Sequence, residues 1–242
     1  MNQIRALVRK DFRIIYRDRF MLFIGAYALI LALVARLGVR WVPVENLDLY
    51  LAPAIAMFGT LLLGTLLGFA LIEEREQGTW LLLRVLPLSS KAVFAYFVAS
   101  ASVLSLVVSF AAAMLYGYPV ADWPAFVFML VASSLAAPLV MLLLGALAKN
   151  KIEGLAVSKI ISAAGILPAL IFFAPASWQV VAVWCPLYWL YLGLLQAYAG
   201  DPTRLDVAHW PAYPSWLPGV ASIVLSLVGM AVLVRTYTRS AR

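Results

Sequence analysis

Charge is scarce in this 242-residue sequence. Only 12% of the residues are Asp, Glu, Lys or Arg, while 65% are hydrophobic, against roughly 25% charged in a soluble domain. A chain of this make-up cannot hide its apolar surface in one water-soluble core. The single cysteine, Cys185, excludes a disulfide framework within the chain. The single histidine, His209, stands beside Trp210 in a proline-rich stretch and reads as an interfacial residue. One histidine and one cysteine cannot build a zinc site. There is no phosphate-binding loop: the nearest spacing, Gly59 to Gly64, is followed by Thr65 rather than lysine and lies inside an apolar run. Any power for work must then come from another polypeptide. No internal repeat is visible.

What the chain has is long charge-free runs, at 20–35, 49–72, 92–121, 123–148, 160–200 and 210–234. About 20 apolar residues in a helix cross the ~30 Å hydrocarbon layer. Only the first run is marginal, and 37–39 can extend it if Arg36 snorkels to the headgroups. Barrel strands would alternate polar and apolar residues, and these runs do not, so the expected fold is an all-α integral membrane protein with six transmembrane helices. Residues 1–242 are expected to form one transmembrane domain. The segment 1–19 is too charged, and its exit too poor in small residues, for a cleavable signal.

The formal charge of +7 invites a nucleic-acid reading, but the basic residues sit at span ends rather than in one patch, which argues against that partner. With the N-terminus cytoplasmic and six spans, fifteen Lys and Arg fall inside and only Arg36, Arg40 and Arg204 outside, as the positive-inside rule requires. Both termini are thus expected in the cytoplasm, with the chain in the inner membrane of a prokaryote. The run 160–200 is long enough for two crossings. Pro175 and Pro186, with the aromatics Trp178, Trp184, Tyr188, Trp189 and Tyr191, favour one span followed by a re-entrant or interfacial stretch within an external region, 174–215.

Two segments outside the spans are informative. On a helix, 4–19 gathers Ile4, Leu7, Val8, Phe12, Ile14 and Ile15 on one side and Arg9, Lys10, Arg13 and Arg17 on the other. A basic amphipathic helix of this kind lies along anionic lipid, as an anchor or as an elbow that passes force into the first span. The second segment is 73–91, EEREQGTWLLLRVLPLSSK. Glu73, Glu74 and Glu76 end the long helix, Gly78 stops it, Thr79 caps a short helix over 80–86, and Pro87 terminates that helix. Its apolar residues, Trp80 and Leu83 among them, rimmed by charge, suit a contact surface. A loop helix resting on the headgroups is the plainer alternative.

Glu76, Gly78, Thr79 and Pro87, with Leu88 following, resemble the signature of the cytoplasmic coupling helix in ABC type 2 exporter permeases. Trp80 departs from the leucine usual after the threonine. The stretch 9–20 resembles the elbow helix of that family, and the layout of six spans with an interruption after the fifth is similar over essentially the whole chain. Asn150 to Gly154, the Leu167-Pro168 step and the 186–189 segment resemble the small permeases of that family that export fluoroquinolones. The resemblance implies docking of 73–91 on an ABC ATPase subunit, which binds ATP and Mg; this chain binds no cofactor. It also implies pairing with a second permease, identical or paralogous.

In the expected span interiors, Lys159 aside, there is no Asp, Glu, His or Lys. Such groups cost about 2.5–3.5 kcal/mol each on insertion scales and are kept for function. Proton-coupled transport and membrane catalysis are therefore disfavoured, and the chain is not expected to be an enzyme. Gly59, Thr60, Gly64, Thr65 and Gly68 form a small-residue face on the second span, for packing within the subunit or between two permeases. A path lined by Phe58, Phe69, Ile166, Phe172 and Phe173 would suit a small amphiphilic substrate. The reading is the transmembrane subunit of an exporter of drug-like molecules. Export of lipid, glycan, haem or peptide is the rival within transport, and a membrane scaffold or immunity protein is the rival of another class.

Overall fold

Small residues decide where the helices of this chain meet, and Pro138 decides where one of its crossing stretches breaks. The computed structural model describes residues 19–77, 90–171, 182–200 and 213–240, all helix, turn or loop with no strand among them. In order, the helices are α1 (Arg19–Gly38), α2 (Leu47–Glu76), α3 (Ser90–Tyr116), α4 (Trp123–Ser134), α5 (Ala136–Leu147), α6 (Lys151–Ile171), α7 (Pro186–Ala199) and α8 (Leu217–Ser240). Among the described residues, four stretches are long and apolar enough to cross a membrane: Leu47–Glu76, Ala95–Tyr116, Trp123–Leu147 and Leu217–Arg235. The first run is extended as expected, α1 reaching Gly38 before a 3-10 turn over Val39–Trp41. The Arg36 guanidinium does more than reach for headgroups: it donates to Leu115 O at 3.0 Å, near the end of α3.

The third crossing stretch is two helices, α4 and α5, meeting at Leu135, whose N–H turns back to Ala132 O. Pro138 explains the break, since its ring excludes the carbonyl four residues earlier and supplies no N–H. The hydroxyls of Ser133 and Ser134 bond to Leu130 O and Val131 O at 2.9 and 2.7 Å, a back-bonding that bends helices further. At the start of α4, Asp122 accepts from Ala125 N at 3.0 Å, with Pro124 in the first turn. Both features mark a helix beginning.

α2 occupies the centre, packed against α1, α3, α5, α6 and α7. Lipid is as apolar as a leucine side chain, so helices associate in it through close packing and hydrogen bonds rather than by leaving water. Gly64 and Gly68 supply that closeness against α5. A Cβ on Gly64 would stand 2.6 Å from Ala137 O, and one on Gly68 would stand 2.7 Å from a Leu144 methyl. The small-residue face is therefore spent inside the subunit. Thr60, Ser105 and Ser109 join α2 to α3 by buried hydroxyls, Thr60 Oγ1 lying 2.9 Å from Ser109 Oγ and accepting from Ser105 Oγ at 3.0 Å.

One end of the bundle is aromatic. Tyr116 donates to Asp48 O at 3.0 Å and Tyr191 to Tyr50 O at 2.7 Å, both on the opening turn of α2. Trp189 lies 5.4 Å from Tyr213, ring to ring. α7 caps this end. It starts on Pro186, stops at Gly200 (φ 70°), and has 14 residues, about 21 Å of helix, too short to cross. Nearly all of its side chains are buried against α2, α4, α6 and α8. Within the long run 160–200 the described residues thus hold a separate short helix, opened by Pro186.

Candidate functional site

The opposite end is charged, and there the last turn of α2 meets the turn between α5 and α6. Arg75 donates from Nη1 to Gly145 O at 3.1 Å and from Nη2 to Ala148 O. These are carbonyls of the closing turn of α5, which lack partners along the helix and carry the negative end of its dipole. A guanidinium is planar and reaches two such oxygens at once. Glu76 Oε1 accepts from Lys151 N at 3.0 Å, so a carboxylate from α2 satisfies an orphan donor at the positive start of α6. Lys151 Nζ returns to Glu73 Oε2 at 3.2 Å, both side chains about half exposed. A pair so exposed contributes only about 0.2–1 kcal/mol. Gln77 Nε2 donates to the other oxygen of Glu73 at 3.0 Å.

The α5–α6 turn is built for this role. Asn150 Oδ1 accepts from Glu153 N at 2.9 Å, and Glu153 Oε2 accepts from Lys149 N at 2.8 Å. The reciprocal caps fix the entry of α6. Gly154, one turn on, faces α2 so closely that a Cβ there would lie 3.0 Å from both Ile72 and Phe69. Asn150 to Gly154 is thus a capped helix start pinned to α2. In this arrangement the charged side chains of α2 are turned to the ends of two neighbouring helices. Its chemistry is that of a joint: two helix termini neutralised by opposite charges from a third helix.

A family model described as Rv2686c-like, fluoroquinolones export permease protein, matches residues 11–234. The chain belongs to that family. As an Rv2686c-like permease it is a multi-pass membrane protein and a component of a transport system. No curated protein matches the chain.

Of the coupling residues expected for this Rv2686c-like permease, Glu73, Glu74 and Glu76 lie on the final turn of α2. Gly78, Thr79, Trp80, Leu83 and Pro87 lie outside the described residues, as do Arg9, Lys10, Arg13 and Arg17 of the N-terminal segment. Glu73 and Glu76 have partners within the chain, Lys151 and its backbone N–H. Among the path residues, Phe172 and Phe173 also lie outside. Phe58 and Phe69 are half-buried on one side of α2, three turns apart. Phe58 pairs with Tyr27 of α1 at 6.1 Å between rings, and Phe69 packs beside Gly154 of α6. Ile166 is exposed on α6. The structure therefore places Phe58 and Phe69 along one seam of α2 flanked by α1 and α6, without joining them to Ile166 in a closed lining. Arg75 and Lys151, which the sequence reading counted among the inside charges and passed over within 73–91 and Asn150 to Gly154, are the residues that hold the charged end together. Their signal was position: basic residues at the exit of one span and the entry of another.

Proposed function

We propose that this Rv2686c-like permease is the transmembrane subunit of an ATP-binding-cassette exporter. It carries an amphiphilic, drug-like molecule of the fluoroquinolone type outward across the cytoplasmic membrane of a prokaryote, in six crossings with both termini inside. A separate ATPase subunit supplies the energy and docks on the 73–91 segment, with 78–89 following the last turn of α2. Two permeases, identical or paralogous, would enclose the path, and nucleotide would favour one of two arrangements of the pair by binding it more tightly.

The family match over 11–234 carries this reading. It is supported by the charged end, where α2 delivers 73–77 beside the α5–α6 turn with both helix termini neutralised. The apolar, half-buried seam through Phe58 and Phe69 suits cargo with a flat hydrophobic body, since recognition sites for such molecules are lined mainly by apolar and aromatic side chains.

The test begins with purification of the permease from native membranes and sequencing of the soluble ATPase that comes with it. In that complex, Gly78→Val is expected to leave insertion and assembly intact and to let ATP turn over while export stops. Normal export by Gly78→Val would remove 78–89 as the coupling element. Export by the permease alone down an ion gradient would remove the ATPase.

A further inference from the structure

The charged end contains three kinds of polar contact, and they differ in what they can transmit. The Lys151–Glu73 pair is half exposed, so its two long side chains can part into water at little cost. The contacts of Arg75 and Glu76 are different, because each joins a charged side chain to backbone of another element: Arg75 to the carbonyls of Gly145 and Ala148, Glu76 to the N–H of Lys151. Backbone groups move only when their helices move. Arg75 itself is partly sheltered, and behind it Gly145 accepts the Leu71 side chain so tightly that a Cβ would lie 2.6 Å from a Leu71 methyl. Gly68 and Gly154 continue the same close fit to Leu144 on α5 and, on α6, to Phe69 and Ile72 of α2.

From this geometry we infer that Arg75 is a positioning residue that makes the last turn of α2 and the α5–α6 corner one rigid body, so that a push on 78–89 reaches α5 and α6 together with α2. The inference rests on the reading of 78–89 as the docking segment for its role in export, but the rigid corner itself stands on the contacts above. Arg75 touches no substrate. Its function is to prevent the end of α2 from bending away from α5, which would absorb the displacement locally instead of passing it to the seam through Phe69 and Phe58. Lysine is only a partial substitute, since a single ammonium reaches one of the two carbonyls but cannot bracket both.

The experiment uses the full chain with Cys185→Ser and nitroxide labels at Gln77→Cys and Lys149→Cys, in lipid nanodiscs, with the inter-label distance read by pulsed electron resonance. One narrow distance is expected, and Arg75→Gln should broaden it. Lys151→Gln, which breaks only the exposed pair, should leave it narrow. In the ATPase complex, Arg75→Gln should lower fluoroquinolone export about tenfold, the size of loss expected when a coupling relay is cut, while ATP turnover and melting temperature stay near wild type. Arg75→Lys should recover part of the export. A broad distance in the wild-type background, a distance that ignores Arg75→Gln, or full export by Arg75→Gln would each overturn the inference. The label measurement needs no partner, so a narrow, Arg75-dependent distance together with ATP-independent export would sustain the rigid corner and discard the ATPase reading instead.

Discussion

Gly64 on α2 faces Ala137 on α5 with no room for a side chain: a methyl group there would lie 2.6 Å from the Ala137 carbonyl oxygen and 2.8 Å from Val140 Cβ. The neighbour is backbone, which cannot step aside as a flexible side chain can. Gly64→Ala is therefore expected to destabilise the folded permease by about 1–3 kcal/mol, the usual range for overpacking. Gly38→Ala, with nothing within 4 Å, serves as the control. Thermal unfolding in detergent, followed by monodispersity, checks both. Equal melting of the two variants would mean that α2 and α5 are not packed this way.

Thr60 sits between Ser105 and Ser109, all three fully buried. Hydrogen bonds between membrane helices contribute about 0.6 kcal/mol on average and up to about 1.7. A double-mutant cycle of Thr60→Val with Ser105→Ala should return a coupling energy within that range. The steric controls are Thr60→Ser, which keeps the hydroxyl, and Ser105→Cys. A coupling of zero would show that the hydroxyls are satisfied separately.

Tyr191 ties the cap helix α7 to Tyr50 O on α2 at 2.7 Å. Tyr191→Phe removes the donor and keeps the ring, so a loss of about 1 kcal/mol is expected from a single net hydrogen bond. Hydrogen exchange is the sharper readout. Amides of α7 should exchange faster in Tyr191→Phe while those of α5 hold their wild-type rates, and uniform acceleration across the chain would contradict a local tie.

Cys185 is the N-cap of α7 and only partly buried. With both termini inside, the proposed topology puts this end of the bundle outside the cell. An impermeant thiol reagent added to intact cells should label Cys185, and Cys185→Ser should abolish the signal. Labelling only in inverted vesicles would reverse the orientation.

The helices themselves were plain in the sequence, because charge-free runs of crossing length have few alternatives in lipid. Pro186 was legible only as an interruption, whereas it opens α7, because a residue without an N–H belongs where no N–H is needed. Which face of each helix points inward was hidden. On α3 the buried positions are Ala101, Ser105, Ser109, Ala112, Ala113 and, on the last turn, Tyr116, while Val103, Val107, Phe110 and Met114 are exposed. Small and polar residues are inside and large apolar ones outside, the reverse of the soluble pattern, because lipid accepts the large side chains and close approach needs the small ones. Hydrophobic periodicity carries little information under those conditions. The partner of the Gly64 and Gly68 face was likewise open between a neighbour in the chain and a second permease until α5 was seen against it. The role of Arg75 was hidden because a carbonyl acceptor leaves no trace in side-chain identity, so its link to Gly145 and Ala148 exists only in three dimensions.

The interruption at Leu135 gives one crossing segment a joint that the uninterrupted α3 lacks. Bending an intact helix means breaking a backbone hydrogen bond in a medium that offers no replacement. Between α4 and α5 that bond is already forgone, on account of Pro138, and two serine hydroxyls shelter nearby carbonyls. A change of angle at this point therefore costs less than one within α3, and the helix halves on either side of it can keep their own neighbours while the angle between them changes.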